Sequence, residues 1–423
     1  MQKNNTKEVW PIEFKLTKDF ATLMDKNDKL RKFRSRFILP QNKIYLGANT
    51  LGPSTYKASQ IANRVINNEW AKNVIGGWNE CDWINLSKKL GVKISDLIGV
   101  KRQYVIVDDS TTINLYKAIH AAASINSKRK YILTEKSNFP TDLYVISNIA
   151  KKLGFKVKAV SRQNLINKID DETAIVTATE VDYVTSHKLN IKLISKQAQK
   201  FGAITVWDLS HSIGVLPLEL DSWGVDFAIG CTYKYISGGP GSPSFFYASK
   251  NTITKSEPVI PGWFSHRNPF SFDKKYIPSK NINRFLCGTP PILSLAILEG
   301  GLDAILDVEI MEVRNKSMLL TSYFIYLIEK LFLKEEISIT SPKSAESRGG
   351  HVALDHKNSY QIMQNLINLG VVGDFRPPST MRFGFGPLYT RFIDVWKTAN
   401  ILKKIIETKS WKNKKFLTKK AVT

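Results

Sequence analysis

AITVWDLSHS (203–212) and VDFAIGCTYK (225–234) decide the fold between them. Each opens with an apolar run of strand length, too short for a buried helix, and each run breaks at once into polar residues. Continuous Val, Ile and Ala suit strands covered on both faces, as in a parallel sheet under helices. The same pattern recurs outward from this pair, in YVIVD (104–108), YILTE (131–135), KVKAV (156–160), TAIVTATE (173–180) and PSFFYAS (243–249). From about residue 58 these runs alternate with helical segments. The expected architecture is therefore α/β, a large domain with a mostly parallel seven-stranded sheet sandwiched by helices. From about residue 306, two long helical patterns flank short strand candidates, which reads as a smaller α+β domain built from the C-terminal region and the N-terminal segment. The expected division is 1–57, 58–305 and 306–423.

Composition narrows the class. The chain of 423 residues has 43% hydrophobic and 11% aromatic content, enough for a large core and incompatible with global disorder. Cys81, Cys231 and Cys287 lie far apart, cannot all pair and show no C-x-x-C metal spacing, so a reducing cytosol is the expected compartment. No stretch reaches the roughly 18 apolar residues of a membrane span, and the start MQKNNTKEVW lacks the apolar core of a signal peptide. A formal charge of +24 invites a nucleic-acid partner. Lysines are spread along the whole chain, however, and only Lys412, Lys414, Lys415, Lys419 and Lys420 cluster, which a solvated chain end explains.

In open α/β sheets, ligands sit beyond the carboxyl ends of the strands. After YVIVD come Asp109, Ser110, Thr111 and Thr112, leading into an amphipathic helix whose free N–H groups and hydroxyls suit a phosphate; ordinary capping is the bland alternative. Asp208 ends AITVWD, with Ser210 and His211 close behind. One helix-and-strand step later, VDFAIGC ends in Thr232, Tyr233 and Lys234, before the turn-rich GGPGSP. An amine at the end of an apolar strand is partly desolvated, which favours its neutral, nucleophilic form. Phosphate seat, carboxylate and lysine in that order match what a pyridoxal 5′-phosphate enzyme needs: an anchor, a partner for the pyridine nitrogen, and a Schiff-base amine.

With these residues in view, the sequence resembles the kynureninases, within the aspartate-aminotransferase-like (fold type I) group of pyridoxal-phosphate enzymes. The matching segments run in family order: NTLG (49–52), DDSTTINLYK (108–117), NFPTDLYV (138–145), WDLSHSIG (207–214), GCTYKYISGGPGSP (230–243), GWFSH (262–266), RFLCGTPPILSLAILEGGLD (284–303) and GVVGDFRPPSTMRFGFGPLY (370–389). The resemblance implies that Thr111 and Thr112 hold the phosphate and that Phe139 stacks on the pyridine ring, with Pro140, Thr141 and Asp142 completing that loop. It places Thr179 near the ring, Asp208 on the pyridinium nitrogen, His211 beside it, Tyr233 on the phosphate and as a proton donor, and Lys234 on the cofactor aldehyde. Trp263 and Thr289 would reach the cofactor across a subunit interface, which implies a homodimer with shared active sites. Arg382 would bind the substrate α-carboxylate, where a planar fork can make two parallel hydrogen bonds. Asn49, Thr50, Gly288 and Trp78 would complete the substrate site, with a preference for kynurenine over its 3-hydroxy form; a core role for Trp78 is the alternative.

The implied reaction is hydrolysis of L-kynurenine to anthranilate and L-alanine, in tryptophan catabolism or on the way to NAD. Departures from the family pattern are Glu180 and Asp182, where bacterial members often have His and Asn, Gly350 for Ser, and Thr50 for Ser. Two added acids near an anionic substrate are expected to weaken binding or shift the preferred substrate. The rivals are a related enzyme, such as a cysteine desulfurase, selenocysteine lyase or aminotransferase, and a basic nucleic-acid-binding protein without catalysis. A desulfurase needs a reactive thiolate, and the apolar settings of Cys231 and Cys287 disfavour one.

Overall fold

The computed structural model describes residues 13–419; the start MQKNNTKEVW and Lys420 lie outside them. The expected sheet forms from β1 (Val105–Val107), β2 (Tyr131–Glu135), β3 (Lys156–Val160), β4 (Thr173–Thr179), β5 (Ile204–Asp208), β6 (Phe227–Gly230) and β7 (Phe245–Ala248). Their order across the sheet is β1-β7-β6-β5-β4-β2-β3. Every pairing is parallel except those made by β7, which runs antiparallel to both β1 and β6.

Alternate side chains of each strand enter different cores, as the two-residue period of a strand requires. Val105, Val107, Leu133, Val176, Trp207 and Tyr247 pack on one face with helix α1 (Leu86–Ile98), while Ile106, Ile132, Ile175, Val206 and Phe246 pack on the other with α2 (Thr111–Ile125) and α3 (Pro140–Leu153). Both faces of the inner strands are thus dry, which is why they read as apolar runs, whereas β3 at the sheet edge is largely exposed and interleaves Lys156 and Lys158 with its apolar residues.

Helix starts follow local chemistry. The Ser110 hydroxyl accepts from the Ile113 amide at 3.4 Å to open α2, and Pro140, which needs no amide partner, is the first residue of α3. At the far end of α3, Gly154 takes φ +80° and accepts the left-handed turn that ends the helix.

A second antiparallel sheet contains β8 (Ser338–Ile339), β9 (His351–Asp355), β10 (Asp374–Arg376) and β11 (Thr380–Gly384), ordered β10-β11-β9-β8. It packs under α4 (Ile310–Leu331), α5 (Ser359–Asn368) and α6 (Phe392–Thr408). Ala21 and Leu46 from the N-terminal segment join this core, whereas Leu30, Phe33, Phe37 and Ala48 join the core of the large sheet. The segment therefore straddles both layers, and residues 47–52 cross the seam between them. Gly47 bridges to Gly384 of the small sheet, and the Gly52 amide donates to the Tyr233 carbonyl of the large one at 2.7 Å. Among the described residues, no helix is long and apolar enough to cross a membrane.

Candidate active site

A cavity with about 530 Å³ of empty space opens at the carboxyl end of the large sheet, lined by Thr111, Thr112, Phe139, Thr141, Asp142, Thr179, Tyr183, Asp208, Ser210, His211, Tyr233 and Lys234. Strand register explains the convergence. Thr179 is the partner of Asp208 across β4 and β5, and Asp208 is the partner of Ile229 in β6, so the loops that follow these strands meet at one place. Thr111 and Thr112 begin α2, whose first-turn amides point outward from the helix end.

The polar groups are held individually. The Ser210 amide donates to Asp208 Oδ1 at 2.7 Å, and the Thr179 hydroxyl donates to Asn138 Oδ1 at 2.6 Å. The Thr179 amide donates to Glu135 Oε1 at 3.0 Å, and Glu135 is itself paired with the buried Arg162 guanidinium. Lys234 Nζ lies 2.8 Å from His211 Nε2. Phe139, whose ring is still partly exposed, meets Tyr183 edge-on with centroids 5.1 Å apart.

Burial sets the charge state. The Asp208 carboxyl is pushed up by burial, offset in part by Ser210 and Lys234, and Asp142 is held well above the usual carboxylate range by burial and by the facing Asp208 and Glu135. His211 is driven well below its ordinary value, first by burial and then by Lys234 and His351, so its ring is neutral. Tyr233 is raised by its neighbour Cys231 and by burial and keeps its proton. Two buried acids with too little cationic compensation call for a positive partner between them. A protonated pyridine nitrogen supplies that charge, while the α2 N-terminus offers donors to a phosphate and Lys234 an amine to an aldehyde. The residues present therefore fit pyridoxal phosphate.

Eight expected site residues do not line this protomer's cavity: Pro140, which opens α3, Asn49, Thr50 and Arg382, and Trp78, Trp263, Gly288 and Thr289. Trp78 packs against Trp83 and Phe264, with centroids 6.2 and 6.3 Å away. Trp263 meets Phe264 and Phe270, and Gly288 and Thr289 are exposed.

Glu180 and Asp182 correct an expectation, because neither side chain lines the cavity. Glu180 follows Thr179 in the chain and turns to the opposite side, as alternation requires. It is buried near Ser212, Lys188 and Arg314, and burial raises its carboxyl to about 7 against the partial relief those groups give. Asp182 Oδ1 instead accepts from the Val184 amide at 3.0 Å, the Thr185 amide at 2.6 Å and the Thr185 hydroxyl at 2.8 Å, an Asx turn.

Arg382 lies deeper, almost fully buried on β11. Its Nε donates to Asp374 Oδ1 at 2.7 Å, its Nη2 donates to Asp374 Oδ2 and, at 3.4 Å, to the Thr50 hydroxyl, and its Nη1 donates to the Tyr183 carbonyl. Burial pushes the Asp374 carboxyl up, but the Arg382 hydrogen bonds and charge, with help from Arg376 and Thr50, outweigh that and leave it lowered, hence ionised. Sequence reasoning did not single out Tyr183 or Ser210 as site-lining residues, nor Asp374 as Arg382's partner. Tyr183 and Ser210 do lie four and two residues past strand ends, a signal that could have found them, whereas nothing local to Asp374 marks it.

The comparisons with known proteins agree in direction. A family model described as the kynureninase C-terminal domain matches residues 313–402. The kynureninase of Pseudomonas fluorescens is 40% identical over 414 residues, which is 96% of this chain and all of that protein. The kynureninase of Burkholderia mallei strain SAVP1 is 37% identical over the same shares. Among solved structures, a cysteine desulfurase from Thermococcus onnurineus NA1 aligns with a TM-score of 0.78 at 16% identity, covering 89% of this chain and 98% of its own. The cysteine desulfurase CsdA from Escherichia coli gives 0.75 at 15% identity, covering 90% and 99%. At such identities these two establish the shared fold and nothing finer.

Proposed function

The chain belongs to the kynureninase family, and from that premise we propose that it hydrolyses L-kynurenine to anthranilate and L-alanine with pyridoxal 5′-phosphate. The observation that carries this reading is the meeting of Lys234, His211, Asp208, Asp142 and Tyr233 in one cavity with the N-terminus of α2. When bound, the cofactor supplies an electron sink for negative charge next to the amino nitrogen. Lys234 then moves a proton at the substrate Cα, with the neutral His211 ring 2.8 Å from its amine to receive or orient it. Asp208, fixed by the Ser210 amide, holds the proton on the pyridine nitrogen. Tyr233, kept protonated, serves as a donor to the phosphate or to Cβ, which stays with the alanine half and takes up a proton as the Cβ–Cγ bond breaks. Water adds to the side-chain ketone, the Cβ–Cγ bond breaks, and the acyl half leaves as anthranilate.

The same reading makes the enzyme a homodimer. Trp263 and Thr289 stand away from this protomer's cavity, and Trp70, Val74 and Ile75 form an exposed apolar stretch beside Trp78 that a second copy would cover. It also divides the chain into 1–57, 58–305 and 306–423, prefers kynurenine to its 3-hydroxy form, and assigns a reducing cytoplasm, in keeping with three free cysteines. A desulfurase reading is disfavoured because the Cys231 thiol is raised by burial and the Cys287 thiol is pushed up to about 11, chiefly by burial.

The test is a visible spectrum of the purified protein before and after L-kynurenine, with anthranilate fluorescence followed in the same cuvette. A cofactor band and growing fluorescence are expected, with both lost in Lys234→Ala. A band without fluorescence would reject the substrate while keeping the cofactor.

A further inference from the structure

A guanidinium has five N–H donors, and Arg382 commits four of them internally: two to Asp374, one to the Thr50 hydroxyl and one to the Tyr183 carbonyl. Its fork, the pair formed by Nε and one Nη, is spent on Asp374. Among the described residues, a single Nη1 hydrogen has no partner, and it shares its nitrogen with the bond to Tyr183, whose residue lines the cavity. The Thr50 hydroxyl is spent as well, because it donates to Asp374 Oδ2. It therefore buttresses the arginine rather than facing a ligand.

One polar side chain nearby is left over. Asn49 is buried, and among the described residues both its amide nitrogen and its amide oxygen lack hydrogen-bond partners, an expensive arrangement for a group with four hydrogen-bonding positions. It lies against Gly384, where a Cβ would come within 2.0 Å of Asn49 Oδ1. Residues 382 and 384 of β11 project to the same face. The missing side chain at Gly384 therefore leaves the space that the Asn49 amide fills, on the face of β11 that also carries Arg382.

We propose that Asp374 is a positioning residue for carboxylate recognition: it clamps the Arg382 fork from behind, with Thr50 as its brace, so that the substrate carboxylate is met by one Nη1 hydrogen together with the Asn49 amide. This replaces the expected two-pronged contact of Arg382 with substrate by a contact shared between two residues. It deepens the function proposed above and rests on that reading for the identity of the substrate.

Carboxylate binding can be measured without turnover. Holoenzyme, as wild type, Asp374→Asn and Thr50→Val, is titrated with L-alanine and with L-alaninamide while the cofactor absorbance is followed, and the KM and kcat for L-kynurenine are measured in parallel. With Asp374→Asn, binding of L-alanine should weaken about tenfold, the scale of one misplaced charge-assisted bond. Binding of L-alaninamide should change by less than about twofold, and KM should rise more than kcat falls. Thr50→Val keeps the ion pair and should shift the same acid-selective ratio by about two- to threefold, which decides the matter if Asp374→Asn does not fold. Tighter L-alanine binding in either variant would mean that Asp374 competes with substrate for the fork and would overturn the proposal. Equal weakening of acid and amide would also overturn it, by assigning Asp374 a merely structural role. Wild-type protein that binds L-alanine but makes no anthranilate would reject the proposed substrate and leave the clamp to be judged by the titrations alone.

Discussion

The floor of the cavity and the Arg382 corner are built by opposite strategies. The floor is modular: each strand of the large sheet delivers its own residue, Thr179 from β4, Asp208 from β5 and Lys234 beyond β6, and adjacent strands in register bring them together. The corner is a composite, with Asn49 and Thr50 from the N-terminal segment, the Tyr183 carbonyl from the large layer, and Asp374 and Arg382 from β10 and β11. The floor can lose a residue without losing its frame. In the corner Arg382, Asp374, the Thr50 hydroxyl and the Tyr183 carbonyl satisfy one another and only the Asn49 amide and one Arg382 hydrogen are left over, so a single change propagates.

The sharpest way to break the contrast is at Lys234. Lys234→Ala should lower turnover by at least about 10³-fold, the scale expected when a group acting both covalently and in proton transfer is lost, with the melting temperature little changed because the side chain is only half-buried. A large drop in melting temperature would show that the floor is as interlocked as the corner. Asp208→Asn comes next, with a turnover loss of about 10²-fold and weaker cofactor retention, read from the absorbance of dialysed protein.

Glu180 tests the layer behind the floor. Its folded carboxyl lies near 7 against an ordinary 4.5, so the folded state holds the extra proton. Stability from this group is therefore complete below about 4.5 and declines as pH rises towards 7, by up to about 3 kcal/mol. Glu180→Gln should flatten thermal unfolding curves over that window and leave turnover within about threefold, since a buried side chain turned away from the cavity touches no reacting atom. Persistent steepness in the variant would assign the pH dependence elsewhere. Asp182→Ala should cost about 1 kcal/mol of stability through loss of its turn bonds, whereas Asp182→Asn, which keeps the acceptor oxygen, should be nearly neutral by denaturant titration. The smallest effect belongs to Cys287→Ala and Cys231→Ala, where full turnover is expected and a lost reaction would revive sulfur chemistry.

The two regions also differ in how far the amino-acid sequence alone reveals them. The floor was legible because a buried parallel strand has a short apolar signature and its ligand residues follow within a few positions, so that Asp208, His211, Tyr233 and Lys234 could be ordered into one site. For Glu180 and Asp182, nearness in sequence to the cavity-lining Thr179 and Tyr183 does not fix where the side chain goes. Alternation along the strand end turns Glu180 away, and Asp182 is consumed by its own turn.

What the sequence by itself determined is the α/β class, the seven-stranded sheet and the line of residues at its carboxyl edge, because these follow from local patterns of burial and from the fixed hand and periodicity of strands and helices. Only the tertiary structure decided which partner each charge meets. Arg382 and Asp374 are eight residues apart on neighbouring strands, yet what Arg382 can offer a ligand depends on Thr50 and Tyr183, some 332 and 199 positions away. Hydrogen bonds over such separations leave no periodic trace in a chain, since they are selected by packing between layers rather than by the geometry of any one element.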